Sequence, residues 1–278
     1  MEICVVCGDA SQQRNPYWKI LHQCKQCAHV MANLAESALD FKSIYSEDYF
    51  AGAEYANYAE DEAVFKKQFQ RNLKLIRRYV DSGTLVELGC AYGFFLKQAQ
   101  QYFQVCGYDI SQEPVKYARE KMGVDARCED FLTSNFNPSS ADVAVMWDVI
   151  EHLPRPDLVA QKIFKTLKPN GYFFLTTGDI GSALAKFQKE KWRLIHPPTH
   201  LHYFNKETIK RLLTNSGFRV VDIRYIGVER SFKQIAFGLF MMGKKKRSKI
   251  YDWVCASSFR SWSVNLNTLD IMLVTAQK

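Results

Sequence analysis

The chain has 278 residues, with 37 Lys+Arg against 29 Asp+Glu and a net charge of +8. Apolar residues make up 47% and charged residues 24%, a globular composition that excludes disordered, collagen-like and coiled-coil chains and allows one or two domains. No run of about 18 apolar residues is present to span a bilayer. The opening MEICVVCGDASQQRN is polar where a secretory signal would be apolar, which points to the cytosol, or at most to the inner face of a membrane. The positive excess is local: from Arg230 onward nine basic residues stand against Asp252 and Asp270. A nucleic-acid binder with charge spread along a groove would look different.

In chain order, the first signal is Cys4, Cys7, Cys24 and Cys27, spaced C-x2-C-x16-C-x2-C. Each C-x-x-C knuckle aims two thiolates at one point, and Gly8 can take the positive φ that such a turn needs. The pattern predicts a structural zinc ribbon over 1–35, with four thiolates closing the site to water. A pair of disulfides is the alternative, which a reducing cytosol disfavours. His22 and His29 lie beside the second knuckle but are not needed as ligands. Cys106 and Cys128 are expected to be buried fillers.

An aromatic, acidic connector follows at 41–61, with Tyr45, Tyr49, Phe50, Tyr55 and Tyr58. The three-to-four spacing of Val64, Phe65, Phe69, Leu73, Ile76 and Val80 predicts a helix over 60–80. Together they make a segment 36–82 that leads into the main domain, 83–278. There strands are predicted at 84–90, 104–110, 125–131, 141–149, 172–178, 218–227 and 268–277. Helices are predicted at 93–103, 112–122, 155–167 and 205–215. This alternation argues for an α/β fold with a doubly wound, mostly parallel seven-stranded sheet, its last two strands antiparallel neighbours.

The first strand ends in Glu87-Leu88-Gly89-Cys90-Ala91-Tyr92-Gly93, and small residues at 89, 91 and 93 let a ligand approach the backbone. A close helix–strand turn would use the same residues. About 20 residues on, Asp109 ends the second strand, where an acid can bind a ribose diol. Phe94 stands where a dinucleotide fingerprint would keep a third glycine. The site therefore suits a nucleoside without phosphates.

The segments VELGCAYGFF (86–95), GYDIS (107–111), CEDF (128–131), VAVMWDVIEHLPRP (143–156) and LKPNGYFFLTT (167–177) resemble the class I S-adenosylmethionine-dependent methyltransferases, in order, over about 60–278. The resemblance implies a Rossmann-like fold and these roles: Glu87, Gly89, Ala91 and Gly93 at the methionine end, and Asp109 on the ribose hydroxyls. It also implies Ile110 beside the adenine, Asp130 and the Phe131 backbone at the adenine amino group, and Trp147 and Asp148 facing the methionyl part. Ala91 departs from the glycine more often found there and leaves slightly less room. Trp147 can equally be core packing.

Three segments are expected at the carboxyl ends of the parallel strands. Asp148-Val149-Ile150-Glu151-His152 resembles the ubiquinone-pathway O-methyltransferase branch, in which Asp148, Glu151 and His152 could carry Mg²⁺ or a base. Glu151 and His152 could equally only cap the next helix. The loop 192–204 carries His196 and His200, either of which could act as a base near neutral pH or hydrogen-bond structurally. The insert 228–267 joins the apolar run 235–242 to Lys244, Lys245, Lys246 and Arg247. That join suits an anionic membrane surface, or a substrate-covering helix pair with a solvated basic turn.

The sequence thus points to a methyltransferase acting on a small molecule, a glycan or lipid-linked intermediate. The zinc ribbon before such a domain resembles sugar-modifying methyltransferases. An RNA methyltransferase with an N-terminal zinc module is one alternative, though Asp148-Val149-Ile150-Glu151 replaces the Asn/Asp-Pro-Pro-aromatic pattern of amino-methylating nucleic-acid enzymes. A non-catalytic cofactor-binding protein is another.

Overall fold

The computed structural model describes residues 3–15, 18–32, 62–240, 248–257, 259–260 and 262–278. The aromatic connector and the run Lys244–Arg247 lie outside the described residues. The strands are β1 (Gln12–Arg14), β2 (Leu21–Cys24), β3 (Val30–Ala32), β4 (Gly83–Leu88), β5 (Phe103–Asp109), β6 (Ala126–Cys128), β7 (Ala141–Trp147), β8 (Leu167–Gly178), β9 (His202–Tyr203), β10 (Arg219–Tyr225), β11 (Val228–Ser231), β12 (Ser263–Leu266) and β13 (Ile271–Gln277). The α-helices are α1 (Glu62–Ile76), α2 (Phe94–Ala99), α3 (Gln112–Tyr117), α4 (Pro156–Thr166), α5 (Ala183–Gln188), α6 (Lys206–Asn215), α7 (Phe232–Phe240) and α8 (Lys249–Ala256).

The central sheet has seven strands in the order β10-β13-β8-β7-β4-β5-β6. β6, β5, β4, β7 and β8 are parallel to their neighbours, and β13 runs antiparallel between β8 and β10. Successive strand residues point to opposite faces, and both faces here are apolar. Val86, Leu88, Met146, Phe173 and Leu175 pack toward Val159, Ile163 and Leu212 of α4 and α6. Leu85, Val143, Val145 and Phe174 pack toward Phe69, Leu73, Phe95 and Leu96 of α1 and α2. The chain winds outward from β4 through β5 and β6, then crosses back to β7 and β8. The order therefore reverses beside β4, where ligands of such sheets bind.

Several boundaries differ from the periodicity, each for a tertiary reason. β8 begins at Leu167 rather than after the Lys168–Gly171 turn, because Leu167 already pairs with Ala141 and the irregularity is absorbed between Ala141 and Val143. β6 stops at Cys128, since Asp130 turns the chain by accepting from the Leu132 N–H at 2.9 Å. Cys128 is exposed rather than buried, its thiol directed at the Ile110 carbonyl (3.7 Å). The helix expected over 112–122 widens to a π turn at 118–122. β13 starts at Ile271, not at 268, because Asp270 is fully buried and holds Trp192 Nε1 (2.8 Å), Arg193 and Thr268. That carboxylate pins the loop after β8 to the start of β13.

The N-terminal residues form a second sheet, β1-β2-β3-β9, whose fourth strand comes from the loop after β8. Trp18, Leu21, Val30 and Ala32 share a core with Ile180, Trp192 and Tyr203. At the joint, His29 Nε2 and His202 Nδ1 lie 3.1 Å apart, both rings buried. The insert 228–267 supplies the β11–β12 hairpin, α7 and α8. Among the described residues no helix is long and apolar enough to cross a membrane.

Candidate functional site

The turn after β4 is built from alternating positive φ angles, at Gly89 (73°), Ala91 (41°) and Gly93 (75°). A Cβ on Gly89 would meet Val149 at 2.4 Å, and one on Gly93 would meet Ala118 at 2.9 Å. The small residues are therefore demanded by packing as well as by any ligand. Ala91 tolerates the same backbone and donates its N–H to Asp109 Oδ2 at 2.9 Å, while Asp109 Oδ1 accepts from Ser111 N–H at 2.9 Å. Asp109 thus clamps the turn to the end of β5. Burial raises its carboxyl above the usual range despite these donors.

Glu87 stands one strand away, 3% exposed, with Oε2 buried and lacking a hydrogen-bond partner. Burial, and next the charge of Asp109, push its carboxyl well above the usual range. The indole Nε1 of Trp147 is also buried without an acceptor. An unpaired buried polar atom costs about 1–3 kcal/mol. Two of them beside one cleft mark a place for a polar ligand.

Both residues line a cavity of about 130 Å³, together with Gly89, Asp148 and Thr176. Asp148 has φ 54° and donates its N–H to Thr176 Oγ1 at 2.9 Å. Its side chain is open to the cleft but recessed among protein atoms, and this enclosure raises its carboxyl, with Thr176, Arg230 and Arg193 opposing the rise. The far wall comes from α1, which the sequence patterns left unassigned to the site, and from β11, at the start of the insert expected there. α1 presents Phe65, Gln68 and Phe69, and β11 presents Glu229 and Arg230. Gln68 Oε1 accepts from Glu229 N–H, and Arg71 Nε contacts Glu229 Oε1, both at 2.9 Å. The only sequence signal for this wall was that the insert leaves a parallel strand on the ligand side; α1 is too distant in the chain for local patterns to show it.

Ala91, Gly93, Asp109, Ile110, Asp130 and Phe131 lie outside the lining of that cavity. Ile110 is 44% exposed. Phe131 is buried edge-on against Tyr108 (5.3 Å). The 131–134 turn is held by Lys162 Nζ, which donates to the carbonyls of Phe131 and Leu132.

His152, His196 and His200 are gathered into one cluster, with ring centroids 3.8 Å (196–200) and 4.4 Å (152–200) apart. It too lies outside the lining of the cavity. His152 Nδ1 donates to Thr199 O at 2.9 Å, and His200 Nδ1 to Leu194 O at 3.0 Å. Burial lowers His152 to about 4 and His200 well below its ordinary value, so both are neutral at pH 7. Glu151 is buried beside them, its carboxylate within 4.8 Å of ligand atoms of His152 and His200. Asp148 is not part of that grouping. The acid-x-x-Glu-His stretch is thus split between two places, and the imidazole pair, His200 buried and His152 half-buried, does not suit Mg²⁺, which prefers oxygen and water.

The four N-terminal cysteines converge. Cys4 and Cys27 Sγ are 3.6 Å apart, Cys7 and Cys24 Sγ 3.5 Å, and all four lie within 4.8 Å of one another. The two knuckles are copies: Gly8 N–H returns to Cys4 O and Ala28 N–H to Cys24 O, with φ 78° and 60°. Burial pushes the Cys4 thiol up to about 11.

From this geometry Asp109→Ala should lower affinity for S-adenosylhomocysteine at least about a hundredfold, through loss of the clamp and of a charge-assisted contact. The folded sheet should persist. Calorimetric titration and circular dichroism of the variant check both halves.

A family model described as "Methyltransferase domain" matches residues 60–223. Phosphoethanolamine N-methyltransferase 2 of Caenorhabditis elegans is 26% identical over 178 residues, 60% of this chain and 40% of that protein. Ubiquinone biosynthesis O-methyltransferase of Idiomarina loihiensis is 29% identical over 100 residues, 34% of this chain and 41% of that protein. The chain therefore spans about two fifths of the length of these relatives. Among solved structures, a SAM-dependent methyltransferase of Archaeoglobus fulgidus superposes with TM-score 0.54 at 17% identity, covering 84% of this chain and 97% of that one. Phosphoethanolamine N-methyltransferase 2 of Haemonchus contortus, in complex with S-adenosyl-L-methionine, gives 0.51 at 17% identity, covering 87% and 60%. The cyclase SpnF gives 0.50 at 21% identity, covering 75% and 80%. These structures establish the fold, and with the family match over more than half its length the chain belongs to the methyltransferase-domain family, with the class I S-adenosylmethionine-dependent fold.

Proposed function

We propose that the protein moves the methyl group of S-adenosylmethionine onto a small-molecule acceptor, a glycan or lipid-linked biosynthetic intermediate. The observation that carries this reading is the pair of unpartnered buried atoms, Glu87 Oε2 and Trp147 Nε1, beside a cavity that opens between the sheet crest and a roof of α1 and β11. Fold alone would not carry it, since a cyclase shares the fold.

Bound at the crest, the sulfonium supplies an already activated methyl group, so alignment is the main catalytic demand. The 89–93 turn, clamped by Asp109, approaches the ligand with backbone. Glu87 and Trp147 Nε1 hold the methionyl end, Asp109 the ribose hydroxyls, and Asp130 the adenine amino group beside Ile110. The apolar wall of Phe65 and Phe69 excludes water from the acceptor. Of the two cavity acids with raised carboxyls, Glu87 is buried and Asp148 has its side chain open to the cleft, so Asp148 receives the acceptor's proton. The imidazoles of 152, 196 and 200 hold the loop that carries β9.

Four convergent thiolates fit zinc: a tetrahedron with Zn–S of about 2.3 Å places sulfurs roughly 3.8 Å apart, close to the 3.5 and 3.6 Å observed. The metal would fix β2 and β3, and through them β9.

Incubation with methyl-labelled cofactor and a cell extract split into lipid, glycan, RNA and protein pools should label the lipid or glycan pool. Label confined to RNA would overturn the acceptor class. Metal analysis of purified protein should return one zinc per chain, and Cys27→Ser should remove it and lower the melting temperature.

A further inference from the structure

The described residues of the insert 228–267 serve two places. Glu229, Arg230 and Gln234 line the cleft. Further along lies a strip of large apolar side chains in water: Ile250 (52% exposed), Trp253 (62%), Phe259 (38%) and Trp262 (64%). The strip is continuous. Ile250 and Trp253 are three apart on α8 and share a face, and the rings of Trp253, Phe259 and Trp262 follow one another at 6.1 and 6.0 Å. It is also tied to the site, because Trp262 O accepts from Phe232 N–H at 2.9 Å and Arg230 pairs with Val264. Each such indole offers roughly 150–250 Å² for burial. Elsewhere Trp18 and Trp192 are packed in the core.

The border of the strip is cationic. Lys249 and Arg260 are exposed beside it. The acids of 248–270 are Asp252, half-buried, and Asp270, fully buried and bound to Arg193.

We propose that this strip docks the protein onto an anionic lipid surface. Trp253, Phe259 and Trp262 enter at the headgroup level, and Lys249 and Arg260 meet the lipid phosphates. The cleft, joined to the strip through Arg230 and Phe232, is then held close to an acceptor that resides in that surface. This last step rests on the methyl-transfer reading above, whereas the docking does not. A second copy of the chain fits the strip poorly, because a two-fold contact would bring the cationic borders together. Nucleic acid fits poorly as well, because the rings pack on one another rather than standing apart as stacking platforms.

The test is flotation of the full chain with vesicles of phosphatidylcholine alone and of phosphatidylcholine mixed with phosphatidylglycerol, at low and high salt, with tryptophan emission read alongside. The chain should float with the mixed vesicles, with blue-shifted emission, and high salt should release it. W253S/W262S and K249S/R260S should each weaken flotation on the order of tenfold or more, with affinity for S-adenosylhomocysteine unchanged. The proposal fails if wild-type protein does not float, if it floats equally on neutral vesicles, or if both variants float like wild type. It fails too if light scattering shows a dimer that W253S/W262S abolishes, or if RNA rather than lipid shifts the emission. Flotation without any binding of S-adenosylhomocysteine would contradict the methyl-transfer reading and leave the docking intact.

Discussion

Two carboxyl groups near the ends of adjacent parallel strands govern this molecule. Glu87 is the penultimate residue of β4, paired with Gly107, and Asp109 ends β5 two residues further on, so the sheet itself brings both acids to its crest. Neither can ionise at ordinary cost: burial raises both, and the charge of Asp109 raises Glu87 further. Asp109 offsets part of this by accepting two backbone N–H groups. Glu87 retains an oxygen with no partner. A folded protein keeps such an arrangement where a ligand completes it.

The rest of the structure follows from protecting that crest. The helix before the sheet and the insert near the chain's end meet over it through Gln68, Arg71 and Glu229. The cysteine module is bound into the same framework. β3 pairs with β9 through Val30–Tyr203 and Met31–His202, and Leu201 N–H donates to Glu151 O. Ordering of the four thiolates is thus transmitted to the loop that closes one side of the fold, and Asp270 anchors the other end of that loop.

Much of this was legible in the sequence because the physics involved is local. β4, β7 and β8 read as apolar runs since both of their faces are buried. The 89–93 turn and the cysteine knuckles showed themselves through small residues at positions of positive φ, down to Gly8. What was not legible depends on contacts between distant segments. Nothing in the spacing of α1 says that Phe65 and Gln68 face a ligand. The histidines of the 192–204 loop are near the strand ends in sequence, yet pairing of β9 with β3 carries His196 and His200 into a cluster with His152 away from the cavity. The start of β13 was misplaced because Asp270, read as a strand residue, is an anchor with its own partners. Cys128 ends its short strand at the surface for the same reason that Asp130 turns the chain.

The central claim is that the crest around Glu87 and Asp109 takes a sulfonium nucleoside rather than a dinucleotide. Isothermal titration of the purified chain with S-adenosylmethionine, S-adenosylhomocysteine and a nicotinamide dinucleotide tests it most directly. The account predicts one-to-one binding heat with the first two and none with the third. Heat with the dinucleotide alone, or with none of the three, would contradict it.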